Sequence, residues 1–241
     1  MTSLLAFDTA TERVSIALAH GGKTWTREAA GGAQASATLL PAILALLDEA
    51  SITLAALDAI AFGRGPGAFT GLRTACSVAQ GLAYGANKPV LPIDTLLAVA
   101  EDARQGSEPQ DVWVVMDARM NEIYAARYGY ADGHWMTLVP PFLAHVEQIN
   151  ERWQAMAPQV VAGSALAIFP DLRTGDSRLA TDAAPRAQAM LPLAQALWND
   201  GGTVDAALAI PFYVRDKVAQ TTAEREALRI AREQAALEAA R

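Results

Sequence analysis

Two stretches of this chain follow one plan, and that repetition constrains the fold more than any other feature. "SLLAFDTATERVSIALA" starts at Ser3 and "VWVVMDARMNEIYAARY" at Val112. Each has an apolar run, an aspartate, five mostly polar residues and a second run with strand character. The step from Asp8 to Val14 matches that from Asp117 to Ile123, and Ala17 falls where Ala126 does. A strand–Asp–turn–strand unit given twice, with similar elements after each copy, predicts a duplicated α/β chain of two lobes.

After the first copy, Gly21-Gly22 reads as a hairpin turn into a third strand. The period then changes, and Leu39, Leu40, Ile43, Leu44, Leu46 and Leu47 fall on one face of a helix running from about Ala33 to Ala50. Pro41 belongs within its first turn or two. "LDAIAFG" is a buried strand, a helix runs to about Gly85, "PVLPID" is a strand and "TLLAVAEDAR" a helix. After the second copy come a third strand ("HWMTLVPPFL"), a helix over 146–156, a strand "QVVAGS" and a helix over 186–199. The expected organisation is a first lobe over 1–104, a second over 105–218, and a charged helical tail over 219–241. That tail holds four Glu and four Arg, with Leu228 and Leu237 as its main large apolar residues.

Composition narrows the function. A chain of 241 residues, 52% hydrophobic and 19% charged, buries a substantial core. Its net charge of −7 opposes direct gripping of nucleic acid, which needs many phosphate-neutralising Lys and Arg. The single cysteine, Cys76, excludes an internal disulfide and suits a reducing cytoplasm. The first residues read as a strand rather than a signal peptide, and no stretch has the apolar length of a membrane span. His20, His134 and His145 stand far apart in sequence, so no metal site is expected.

The glycine knot Gly63-Arg64-Gly65-Pro66-Gly67 lies between a strand and a small-residue helix, as in phosphate-binding loops. Neither standard loop fits. No glycine precedes Lys-Ser or Lys-Thr, and the dinucleotide spacing fails because position 70 is Thr and the glycine comes one residue late, at Gly71. Gly71, Ala75 and Ala79 recur every four residues and give a bald stripe on which another helix could pack closely. Packing inside the same domain explains part of such a stripe. Glu122 and Tyr124 share one face of a strand and would meet Arg119 in a cleft between the lobes.

The doubled hairpin resembles the paired phosphate-facing hairpins of the actin-like ATPase superfamily (ASKHA, ribonuclease H-like). "FDTATERVSIAL", "GRGPGAFTGLR", "MDARMNEIYAARY" and "PFYVR" together resemble the bacterial TsaB (YeaZ) family over most of residues 1–218. That resemblance implies an actin-like α/β fold with a degenerate active site and no catalytic residue. It implies a partner subunit for making threonylcarbamoyladenosine at position 37 of ANN-decoding tRNAs. The catalytic sibling TsaD would pack on the helix over 33–50 and on the helix that runs from the glycine knot to about Gly85, with Leu39, Ile43, Arg64, Phe69, Gly71, Arg73, Ala75 and Ala79 at the interface. It implies a further ATPase subunit, TsaE, with tRNA reached through the complex, and self-pairing through the same helices when the chain is alone. Asp8 and Asp117 hold the slots where a working ATPase handles metal and water, and with Thr9, Arg119 and Glu122 they would mark a vestigial nucleotide cleft. Asp8 is followed by Thr9-Ala10-Thr11 and Asp117 by Ala118-Arg119-Met120, without the usual glycine and with Arg119 where a phosphate should lie, and turn-orienting aspartates are the simpler reading. TsaD carries a His-x-x-x-His metal pair where this chain has Asp94-Thr95-Leu96-Leu97-Ala98, so no metal is expected here. No cofactor is expected on the chain alone, with ATP or ADP at the partner junction left open. Members often have a histidine where this chain has Ala35, so no role is carried to that position. An active actin-like ATPase or kinase, a peptidase-like relative and a pure scaffold stand as alternatives.

Overall fold

The computed structural model describes residues 2–215. The expected tail over 219–241 lies outside the described residues.

Strands β1 (Leu4–Asp8), β2 (Arg13–His20) and β3 (Lys23–Ala30) form an antiparallel meander, followed by helix α1 (Ala35–Glu49). Then β4 (Ala59–Gly65), α2 (Phe69–Ala86), β5 (Val90–Asp94) and α3 (Thr95–Ala103) complete the first run. The plan repeats with β6 (Gln110–Asp117), β7 (Ile123–Ala131), β8 (His134–Ala144), α4 (Val146–Ala155), β9 (Val160–Ala162), a short α5 (Ala165–Ile168) and β10 (Arg178–Ala180). Helix α6 (Ala187–Asn199) follows.

The first sheet has the order β3-β2-β1-β4-β5 and the second β10-β9-β6-β7-β8. Read from β8, the second sheet reproduces the first strand for strand. In each, the first two pairings are antiparallel and the outer two parallel. Both meanders turn through two residues of positive φ, Gly21-Gly22 (56° and 78°) and Asp132-Gly133 (52° and 81°), the handedness that matches strand twist. The duplication expected from the two aspartate hairpins is present in the sheet order, and the chain has an α/β fold built on two five-stranded mixed sheets.

Strands β1 and β4 are apolar and buried because helices cover both faces of the first sheet. On one face, α1 and α2 bury Leu39, Ile43, Leu46, Ala75 and Ala79 against Phe7, Ile16 and Phe62. Each such Leu or Ile contributes about 1.5–3 kcal/mol relative to exposure. On the other face sits α6, which returns from beyond the second lobe to bury Met190, Leu191 and Leu193 against Leu4, Leu91 and Ile93. Helix α3 is shared. Its Ala98 joins that cluster, while Leu96, Val99 and Ala103 join the second lobe's core with Val112, Val114 and Tyr128. No helix among the described residues is long and apolar enough to cross a membrane.

Candidate functional site

The turn after β1 is fixed from within. Asp8 is 1% exposed. Its Oδ1 accepts the Ala10 N–H (2.7 Å) and its Oδ2 accepts the Thr95 hydroxyl (2.8 Å). Burial raises its carboxyl pKa to about 6 against the pull of these two hydrogen bonds. Thr9 is fully buried, and its hydroxyl donates to the Gly71 carbonyl at 2.7 Å.

The glycine knot closes over this turn. A Cβ on Gly63 would lie 1.8 Å from Asp8 Oδ2, one on Gly67 2.5 Å from the Ala10 Cβ, and one on Gly71 1.9 Å from the Thr9 carbonyl oxygen. Gly65, at φ +116°, faces the Phe212 carbonyl oxygen, 2.6 Å from where its Cβ would be. Each glycine makes room for another segment of the same chain, so the close backbone approach that suggests a phosphate loop is used for internal packing.

The second hairpin turn is built differently. Arg119, Met120 and Asn121 all take left-handed φ values of 61°, 57° and 61°. That conformation costs about 1–2 kcal/mol per non-glycine residue, so it needs support. Asp117 Oδ1 accepts the Arg119 N–H (2.9 Å), and the Arg215 guanidinium donates to the Ala118 carbonyl (3.0 Å) and to Glu122 (2.5 Å). The His145 ring Nδ1 meets the Asn121 carbonyl at 3.0 Å. The Ser164 hydroxyl oxygen accepts the Asp117 N–H at 3.1 Å.

Between the two turns lies a cavity of about 490 Å³. Leu72, Met116, Tyr124 and Phe212 form much of its apolar wall, and Glu12, Asp117, Arg119 and Arg215 supply charge. Glu12 and Arg119 form an ion pair across the mouth at 2.9 Å, with both side chains mostly exposed. Burial pushes the Tyr124 hydroxyl pKa up, with Arg215 opposing. Arg215 Nε is buried without a partner among the described residues.

The expected cleft residues therefore separate. Asp117 and Arg119 line the cavity. Asp8 and Thr9 do not reach it, because the glycine knot and Thr95 seal them below the turn. Arg119, Glu122 and Tyr124 do not form one cluster: Arg119 reaches Glu12, Glu122 pairs with Arg215, and only Tyr124 faces the cavity beside Arg119. The Glu122–Arg215 tie joins residues 93 apart, and no local spacing announces it. Among the described residues, no three His, Cys, Asp or Glu side chains gather as a metal site.

The interface residues also need correcting. Leu39, Ile43, Gly71, Ala75 and Ala79 are buried in this lobe's own core, because the small stripe of α2 lets it sit close on β4 and the first hairpin turn. Arg64 is bound to Asp94 at 2.5 Å and borders a second cavity of about 290 Å³ on the α3–α6 side, away from α1. Arg73 is exposed, while Phe69 is half-buried and lines the cavity. The Arg73 guanidinium stacks 3.9 Å from the Phe69 ring centre and its Nε donates to the Tyr213 hydroxyl at 3.3 Å. The outward face of the helix pair presents Leu40 and Leu44, 40% and 52% exposed, and Tyr84, 86% exposed. The single apolar face expected for α1 therefore splits: Leu39, Ile43, Leu46 and Leu47 turn to the core, while Leu40 and Leu44 face outward.

The family model for TsaD, tRNA N6-adenosine threonylcarbamoyltransferase, matches residues 30–223. The tRNA threonylcarbamoyladenosine biosynthesis protein TsaB of Escherichia coli K12 is 34% identical over 221 residues, covering 90% of this chain and 96% of that protein. TsaB of Haemophilus influenzae is 36% identical over 227 residues, covering 90% and 94%. The solved structure of YeaZ from Pseudomonas aeruginosa aligns with a TM-score of 0.80 at 36% identity, over 88% of this chain and 100% of that one.

Proposed function

Because the chain belongs to the TsaB (YeaZ) family of tRNA threonylcarbamoyladenosine biosynthesis proteins, we propose that it is a non-catalytic subunit that binds and activates a TsaD-type threonylcarbamoyltransferase. The observation that carries this reading is the filled glycine knot. Gly63, Gly67 and Gly71 accommodate Asp8, Ala10 and Thr9 of the same lobe, so these glycines serve close packing within the chain. Asp8, the first aspartate an ATPase would use, is sealed away from the cleft. The transfer of the threonylcarbamoyl group to N6 of adenosine 37 then belongs to the sibling subunit.

The outward faces of α1 and α2 suit the docking role. Leu40, Leu44 and Tyr84 are large apolar side chains held at high exposure on two adjacent helices. In this reading the tRNA is gripped by the assembly, since the chain's net charge of −7 opposes a direct grip. TsaE joins as the ATP-hydrolysing subunit, any ATP or ADP sits at the junction, and the same face supports a homodimer when TsaD is absent.

The test is reconstitution. Purified TsaD with an ANN-decoding tRNA and the threonylcarbamoyl adenylate should transfer slowly alone and faster with this chain added. Unchanged transfer would sink the activating role. Calorimetry of Mg-ATP against the isolated chain should give no binding heat, and saturable binding blocked by Asp117→Ala would favour an ATPase or kinase instead.

A further inference from the structure

The segment 205–215 leaves α6 and runs beside α2. Val204 bridges Val90 of β5, a short 3-10 turn covers Ala206–Leu208, and that turn packs against α2. The backbone is pinned at several points. The Ala209 carbonyl accepts the Cys76 thiol (2.8 Å) and the Gln80 side-chain amide (2.9 Å), and the Phe212 N–H donates to the Arg64 carbonyl at 2.7 Å. Ala206 and Ala209 go inward, while Leu208 and Ile210 are left 66% and 67% exposed and Tyr213 40%. Two of its three alanines are buried and Phe212 is half-buried, while Leu208 and Ile210 face outward.

The strap extends the face already described. Helix α1 covers β2 and β3, α2 covers β4, and the strap lies beside α2 toward β5, so three rails cross the same side of one sheet. The seam between α2 and the strap is closed by Phe69, Arg73 and Tyr213, with the Phe69 and Tyr213 rings 5.4 Å apart. Arg73 is exposed and has no carboxylate partner among the described residues.

Area supports the third rail. Helices of 15 and 18 residues give a face roughly 20 Å by 25 Å, or about 500 Å² in projection. A stable specific interface takes about 800 Å² from each partner. The exposed part of the strap adds roughly 200 Å² and brings the face near that size.

We infer that residues 207–213 form the third rail of the docking surface, with Leu208, Ile210 and Tyr213 packing on an apolar helical face of the catalytic subunit that carries a carboxylate opposite Arg73. This rests on the proposed function, since it assigns more of the same interface. The strap also walls the cleft through Phe212, Tyr213, Val214 and Arg215, so the partner's contact reaches the segment that fixes the second hairpin turn.

The test measures the affinity of full-length chain for purified TsaD by calorimetry. The variants are Leu44→Glu on α1, Ile210→Glu on the strap, and the milder pair Leu208→Ser with Ile210→Ser, with circular dichroism and melting to show that each folds. Wild type should bind, and both strap variants, like Leu44→Glu, should weaken binding by at least about 10-fold. If Leu44→Glu weakens binding and the folded strap variants bind like wild type, the third rail is overturned while the proposed function stands. Wild-type chain that does not bind TsaD at all overturns both. Strap variants that alter only self-association, measured by ultracentrifugation, assign the rail to a second copy and overturn the inference.

Discussion

Replacing Asp8 with Asn should change how stability depends on pH, and in a direction opposite to most carboxylates. Asp8 is buried, and only two hydrogen bonds compensate its charge. Raising its pKa from 3.8 to about 6 makes the ionised native state about 3 kcal/mol less stable than the protonated one, relative to the unfolded chain. The stabilisation from native-state proton binding is complete below the unfolded value and is lost as pH rises through about 6. About 2 kcal/mol of the change falls between pH 4.5 and 8. Asn keeps an acceptor for the Ala10 N–H but cannot titrate. Urea unfolding of wild type and Asp8→Asn at several pH values should therefore give a stability difference that moves by about 2 kcal/mol across that range, with the variant gaining on wild type toward pH 8. Subtracting the two curves removes the carboxylates they share. A difference that stays flat with pH would refute the sealed, poorly compensated aspartate. Thr95→Val, which removes one of the two donors, should move the transition to higher pH.

Two glycines of α2 separate packing from propensity. Gly71→Ala should lower the unfolding free energy measured in urea by about 1–3 kcal/mol despite alanine's better helix propensity, because its Cβ would lie 1.9 Å from the Thr9 carbonyl oxygen. Gly81→Ala, with nothing within 4 Å of the new Cβ, should raise it by about 0.5–1 kcal/mol. Equal effects at the two sites would contradict the close approach of the first hairpin turn. Arg215→Ala should destabilise by about 2 kcal/mol or more, since it leaves Glu122 and the Ala118 carbonyl without their donor. Arg119→Ala should cost under about 1 kcal/mol because its pair with Glu12 is exposed. Equal losses in denaturant titrations would refute that ranking.

The aspartate hairpins made the duplication legible, because a strand, a capped turn and a return strand are written in adjacent residues. The same locality limited the rest. Strand β10 is three residues long and half exposed, so it has no periodicity to read. The pairing of Glu122 with Arg215 and the filling of the glycine knot depend on segments far apart in sequence. The stripe of Gly71, Ala75 and Ala79 suits close packing on a foreign helix or on the chain's own sheet equally well, and only the neighbouring backbone decides. Here Thr9 and Ala10 occupy the space, so the small residues face inward and Leu44 and Tyr84 are left outside.

The return of α6 to the first sheet sets the order in which the chain can be finished. A nascent polypeptide that has emerged only as far as α3 has hairpins, α1 and α2 in hand, yet Leu4, Ala6, Ala59 and Leu91 still lack their cover of Met190 and Leu193. The amino-terminal portion must wait, partly greasy and unfinished, for residues made nearly a hundred positions later. Cutting the gene between the lobes would therefore yield two fragments that each need the other, and co-expression rather than separate production is the way to recover them.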